Sequence, residues 1–124
     1  METINIKATD VSPEVIFNAG DKKYLISGWS RPESPSKFYA PVMKWIEENG
    51  EKQLSGATIN FKIEYFNTPS ARVIREILDK LENLHKKGIK VNVNWYYDDD
   101  SAKDEFEYEF AQGLTIPINF LQKD

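Results

Sequence analysis

Two segments of strict alternation flank a long stretch of helical periodicity, and this order constrains the fold more than any other feature of the chain. In Ala57–Phe66, Ile59, Phe61, Ile63 and Tyr65 fall on one face and Thr58, Asn60, Lys62 and Glu64 on the other, the pattern of a half-buried strand. Ile89, Val91, Val93, Trp95 and Tyr97 repeat it. Between them, Ala71, Ile74, Ile77, Leu78, Leu81 and Leu84 recur every three or four residues, and Gly88 follows, which predicts one amphipathic helix with a glycine stop. A helical connection of that length joins parallel strands, and its hand is right-handed. The centre of the chain is therefore a βαβ unit.

The flanks extend this unit. Phe38, Val42, Trp45 and Ile46 predict a helix over Ser36–Asn49 that stops at Gly50, with Pro41 in its early turns where a missing N–H costs least. Thr3–Ala8, Glu14–Ala19 and Lys22–Ser27 read as short strands, the last two joined at Gly20-Asp21, and Gly28–Pro35 reads as a loop. Beyond the acidic turn Asp98-Asp99-Asp100-Ser101, Phe106, Phe110 and Ala111 are spaced helically up to Gln112 and Gly113. The final strand, Leu114–Phe120, holds Pro117 and so belongs at a sheet edge. The 124 residues suit one domain. The expected architecture is a single α/β domain over 1–124, a mixed sheet with helices largely on one face.

Composition removes several classes of function. With 40% hydrophobic residues, including three Trp, six Tyr and seven Phe, the chain has the apolar surface that ordering requires. The formal charge is −4 and no basic run exceeds the pairs Lys22-Lys23 and Lys86-Lys87, whereas nucleic acid and anionic membranes need a concentrated basic footprint. There is no cysteine, hence no disulfide, thiolate metal site or thiol nucleophile, which fits a reducing cytoplasm. The segment Met1-Glu2-Thr3-Ile4-Asn5 lacks the features of a secretion signal, and no apolar run approaches a membrane span. No cofactor is implied. A protein partner or a small ligand remains.

The junction Asn67-Thr68-Pro69-Ser70 is the leading candidate site. Thr68 stands where a helix N-cap is expected, followed by Pro69 at the first helical position. Ser70 falls inside the apolar arc of the helix, while the Thr68 hydroxyl precedes it and reaches solvent. A phosphate there would meet unpaired helix N–H groups and the positive end of the macrodipole. Arg72 and Arg75 follow one and two turns on, and with Glu76 and Asp79 they form the polar face on which a partner would dock. The alternative is that Thr68 does nothing but cap the helix. A second constellation, Asp98–Asp100 with His85, would suit a metal-binding module or small enzyme. It lacks the ligand spacing of a calcium loop, and acidic residues opening a helix have a reason of their own. His85 is accompanied by no nucleophile motif. Of the tryptophans, Trp45 and Trp95 lie on core stripes, and Trp29 is the exposed anchor.

Three segments carry a family resemblance: Tyr65-Phe66-Asn67-Thr68-Pro69-Ser70-Ala71-Arg72, Ile77-Leu78-Asp79-Lys80-Leu81-Glu82, and Val91-Asn92-Val93-Asn94-Trp95-Tyr96-Tyr97-Asp98. Together they resemble the SiaC family of bacterial regulatory phosphoproteins, whose fold is similar to the STAS domains of anti-sigma-factor antagonists. The resemblance implies that Thr68 is the phosphorylated position, modified by a partner kinase and restored by a partner phosphatase. It also implies that the unmodified protein binds and regulates a downstream signalling enzyme such as a diguanylate cyclase. Asn67, Pro69, Ser70, Arg72 and Arg75 are the residues expected around that contact.

Overall fold

In the computed structural model of the chain, residues 3–98 and 100–123 are described. Six strands form one sheet in the order of the sequence: β1 (Ile4–Ile6), β2 (Glu14–Asn18), β3 (Lys23–Ser30), β4 (Ala57–Phe66), β5 (Val91–Tyr97) and β6 (Ile118–Gln122). The first three strands pair antiparallel, and β3 to β6 pair parallel. The parallel connections carry α1 (Pro35–Gln53), α2 (Thr68–Lys86) and α3 (Asp100–Phe106), the last prolonged by a π turn at Glu107–Ala111. Each parallel strand is added on the same side of its predecessor, so three crossovers of one hand place all the helices on one face. That is the expected mixed sheet, and β6 is the expected edge, with Pro117 just ahead of it.

The core lies between that face and the helices. Val15, Phe17, Tyr24, Ile26, Ile59, Phe61, Val91, Val93 and Trp95 project from the strands to meet Val42, Trp45, Ile74, Ile77, Leu78 and Leu81. Trp95 is the centre of its far half, stacked on Phe61 at 5.3 Å and on Phe106 at 3.8 Å. On the other face, parallel strands that usually carry a second helical layer are bare and correspondingly polar. There Asn119 donates to Asn94, and Asn94 to Asn60, each at 3.1 Å, and the Lys62 ammonium sits 4.7 Å from the Tyr96 ring.

Three local expectations are corrected. Gly50 does not end α1, which runs on to Gln53. A Cβ at Gly50 would lie 2.8 Å from Leu84 Cδ1, so the glycine serves the close approach of α1 to α2 rather than a stop. Gly28, Trp29 and Ser30 belong to β3 and not to a loop. Finally, Tyr65 leaves the core face. The register advances from Gly28↔Ile63 to Trp29↔Tyr65, so Glu64 is an extra residue whose bulge turns Tyr65 outward and Phe66 inward against Phe110, 5.1 Å away. Gly88 ends α2 as expected: at φ +93 it permits the Ile89 N–H to reach the Leu84 carbonyl and its own N–H to reach that of His85, the double bond of a Schellman end.

Glu82 is only 4% exposed although it is charged. Both carboxylate oxygens are used: Oε1 accepts the N–H groups of Thr115 and Ile116, each at 2.8 Å, and Oε2 the Thr115 hydroxyl at 2.6 Å. Burial pushes its pKa upward, but these hydrogen bonds, with the nearby Lys86 charge, outweigh burial and hold it below the ordinary carboxylate value. The clamp pins the approach to β6 onto α2. Because its folded pKa is depressed, its stabilisation is complete above the unfolded carboxyl pKa and fades as pH falls through the folded value. Glu82→Gln should therefore cost about 1–3 kcal/mol at neutral pH and flatten the acid limb of stability, as read by urea unfolding at pH 7 and pH 4. Equal stability of the two proteins at pH 7 would refute the clamp.

Candidate functional site

The carboxyl end of β4 is fixed before α2 begins. The Asn67 N–H donates to the Ser30 carbonyl at 3.1 Å, which binds the junction to the end of β3. Ser30 is itself held from inside, its hydroxyl 2.6 Å from the Tyr39 hydroxyl of α1, with both residues fully buried. Burial pushes the Tyr39 pKa up to about 12 against the opposing effect of the Ser30 hydrogen bond, so this pair stays neutral at ordinary pH.

The structure reassigns the cap. Asn67, extended at φ −90 and ψ 172, is the N-cap residue, and its side-chain oxygen accepts the Ser70 N–H at 3.0 Å. Thr68 and Pro69 are the first and second helical positions. Thr68 is therefore not the cap predicted above. Asparagine caps at least as well as threonine, and here it takes the bond one residue earlier. The consequence is chemical: the Thr68 hydroxyl is exposed and makes no hydrogen bond among the described residues.

Around it, the expected site residues divide. Thr68, Ala71, Arg72, Arg75 and Glu76 line an open depression of about 370 Å³. Pro69 is exposed beside it, whereas Ser70 is fully buried and its hydroxyl has no hydrogen-bond partner among the described residues. Arg72 is exposed and forms no ion pair among the described residues. Arg75 is occupied: Nε donates to Asp79 at 2.9 Å, and Nη1 to the carbonyls of Phe110 and Gln112 at 3.0 and 2.7 Å. It closes the end of the π turn, where the last carbonyls lack helical partners. Arg72 is thus the cation left for an incoming anion.

An aromatic ledge flanks the junction. Trp29 and Tyr65 are 46% and 43% exposed, with ring centroids 5.0 Å apart, and Arg31 sits 5.6 Å from the Trp29 ring. Trp29 is exposed as the sequence led one to expect, but on a strand rather than in a loop. Alternation alone hides Tyr65; the glycine at position 28, which relaxes β3 beside the bulge, is the one signal that bears on it.

The second constellation does not converge. Asp98 lies 4.0 Å from Lys123. Asp99 is outside the described residues, and of Asp100 only the backbone at the start of α3 is described. His85, partly buried near the end of α2, forms no side-chain hydrogen bond or ion pair among the described residues. Among those residues no group of three His, Asp or Glu is placed to hold a metal, and no helix is long and apolar enough to cross a membrane.

A six-stranded sheet with the described helices on one face, and at the head of its central helix a threonine hydroxyl with no hydrogen bond among the described residues, defines a small α/β protein. Residues 6–123 match the model of the SiaC family regulatory phosphoproteins, and the chain belongs to that family. It is 26% identical over 122 residues to an uncharacterised protein of Pseudomonas aeruginosa strain UCBPP-PA14, covering 95% of this chain and 94% of that one. The crystal structure of apo-SiaC from Pseudomonas aeruginosa superposes with a TM-score of 0.87 at 25% identity, covering 98% and 99% of the two chains. SiaC crystallised with the diguanylate cyclase SiaD, which it activates, superposes at 0.84 with 24% identity over 97% and 99%.

The reassigned cap separates two neighbouring residues by experiment. Asn67→Ala should lower stability by about 1 kcal/mol, whereas Thr68→Ala should change it by less than about 0.5 kcal/mol. Chemical denaturation of both variants checks this, and a larger loss for Thr68→Ala would return the cap to Thr68.

Proposed function

We propose that this chain is a non-catalytic switch, phosphorylated on Thr68 by a partner kinase, restored by a partner phosphatase, and active in its unmodified form as the binding regulator of a downstream signalling enzyme. The observation that carries the proposal is the free Thr68 hydroxyl at the first position of α2. A kinase reaches it without breaking the cap, because Asn67 already satisfies the Ser70 N–H. The phosphate would stand at the positive end of a 19-residue helix, a favourable place for negative charge, with Arg72 one turn away to pair with it. Folding would survive, and the surface would change from neutral to carrying about two negative charges.

A partner that docks over Asn67, Thr68, Pro69 and Arg72 loses contact twice. The phosphate occupies the space its side chains fill, and Arg72 is drawn into an internal pair. Ser70 and Arg75 act from beneath, Ser70 in the buried first turn and Arg75 by fastening α2 to the π turn. The Trp29–Tyr65 ledge supplies the apolar contact area on which an interface depends. Membership in a family of regulatory phosphoproteins supports a signalling role. The cyclase activated by the Pseudomonas aeruginosa relative makes a diguanylate cyclase the first target to test.

With a purified diguanylate cyclase from the same organism, the unmodified chain should raise cyclic di-GMP synthesis, and Thr68→Ala should match it. Thr68→Glu should fold normally yet lose at least tenfold in affinity. Undiminished activation by Thr68→Glu would overturn the switch.

A further inference from the structure

At the other end of β4 from Thr68, about 30 Å along the strand, the sheet forks. β3 and β4 pair only from Leu25 and Asn60 onward. Below that point the hairpin turn of β2 and β3 diverges from the turn that leads α1 into β4. A cleft of about 470 Å³ opens between them, lined by Lys22, Lys52, Ser55, Thr58 and Asn60 among others, a size in which small ligands bind. Among the described residues no Asp or Glu lines it, although the chain carries a formal charge of −4. Neither lysine forms an ion pair among the described residues. Asn60 spends its carbonyl oxygen on the Asn94 amide, which leaves its own NH₂ to donate. Ser55 and Thr58 form no hydroxyl hydrogen bond among the described residues.

Lys52 has an independent reason to be there, since a cation suits the end of a helix. Lys22 has none. At φ 54 it is the only described non-glycine residue with positive φ, a conformation that glycine or asparagine adopts more easily. The turn therefore holds a lysine against its backbone preference, and it holds it on the rim of a cleft whose described lining has no carboxylate. Strain of this kind, where observed, points to a use for the side chain.

We propose that this cleft binds the phosphate group of a small phosphorylated molecule. Lys22 and Lys52 take its charge, and Ser55, Thr58 and Asn60 donate to its oxygens. Two point-like cations and three neutral donors match a tetrahedral dianion better than a carboxylate, which carries one charge on two oxygens.

Amide NMR titration of the full chain with inorganic phosphate, and with sodium acetate at equal ionic strength, tests this. Phosphate should give saturable shifts at Lys22, Gly56 and Thr58, with acetate at least tenfold weaker. A parallel titration with ribose 5-phosphate separates the sources: tighter binding than inorganic phosphate assigns a phosphomonoester, and equal binding assigns the free anion, both supporting the site. Lys22→Gly removes the cation and relieves the backbone, so its thermal midpoint should match or exceed the parent's while phosphate affinity falls at least tenfold. Lys52→Gln should weaken phosphate similarly and decides the matter if Lys22→Gly fails to fold. Shifts that do not saturate, acetate binding equal to phosphate, or undiminished binding by the variants would overturn the proposal.

Discussion

Asn67 makes three hydrogen bonds within one residue of the end of β4, and the arrangement of the whole junction depends on them. Its N–H reaches the Ser30 carbonyl, its side-chain oxygen takes the Ser70 N–H, and its own carbonyl accepts the Ala71 N–H. The first bond ties the junction to β3 and, through the buried Ser30–Tyr39 hydroxyl pair, to α1. The other two start α2. With the cap supplied by its neighbour, Thr68 carries no structural duty through its hydroxyl. The phosphate proposed for Thr68 would come and go best where neither state breaks a fold contact, and this junction meets that condition.

The rest of the molecule keeps that position rigid. Gly50 lets α1 approach Leu84 of α2, the Glu82 clamp holds the approach to β6, and Arg75 binds the π turn to the same helix. α2 is thus fastened on three sides while its N-terminal face stays open. Charge added at Thr68 would therefore act on the surface more than on the packing.

The parts of this design were unequally legible in the sequence. The central βαβ unit is readable because period-2 and period-3.6 patterns are strong and uninterrupted from Ala57 to Tyr97, and the edge position of the last strand follows from Pro117. The buried Ser70 is readable from the same wheel. Tyr65 misleads because one bulged residue inverts the alternation, and Gly50 misleads because a glycine needed for helix contact looks like one that ends a helix. The cap is misplaced by one residue since Asn and Thr are both good caps and only the backbone angles separate them. The Glu82 clamp and the hold of Arg75 on the π turn escape notice because their partners, Thr115, Ile116, Phe110 and Gln112, offer mainly backbone groups, which leave no mark in a side-chain pattern.

Thr68 is the residue proposed to change charge. Intact-mass measurement of the protein isolated from its native host, followed by fragmentation, tests it most directly. A switch at Thr68 gives a population heavier by about 80 Da, with the added mass on Thr68 and removed by phosphatase treatment. A phosphate located on another residue, or a single unmodified mass under conditions that switch the pathway both on and off, would contradict it.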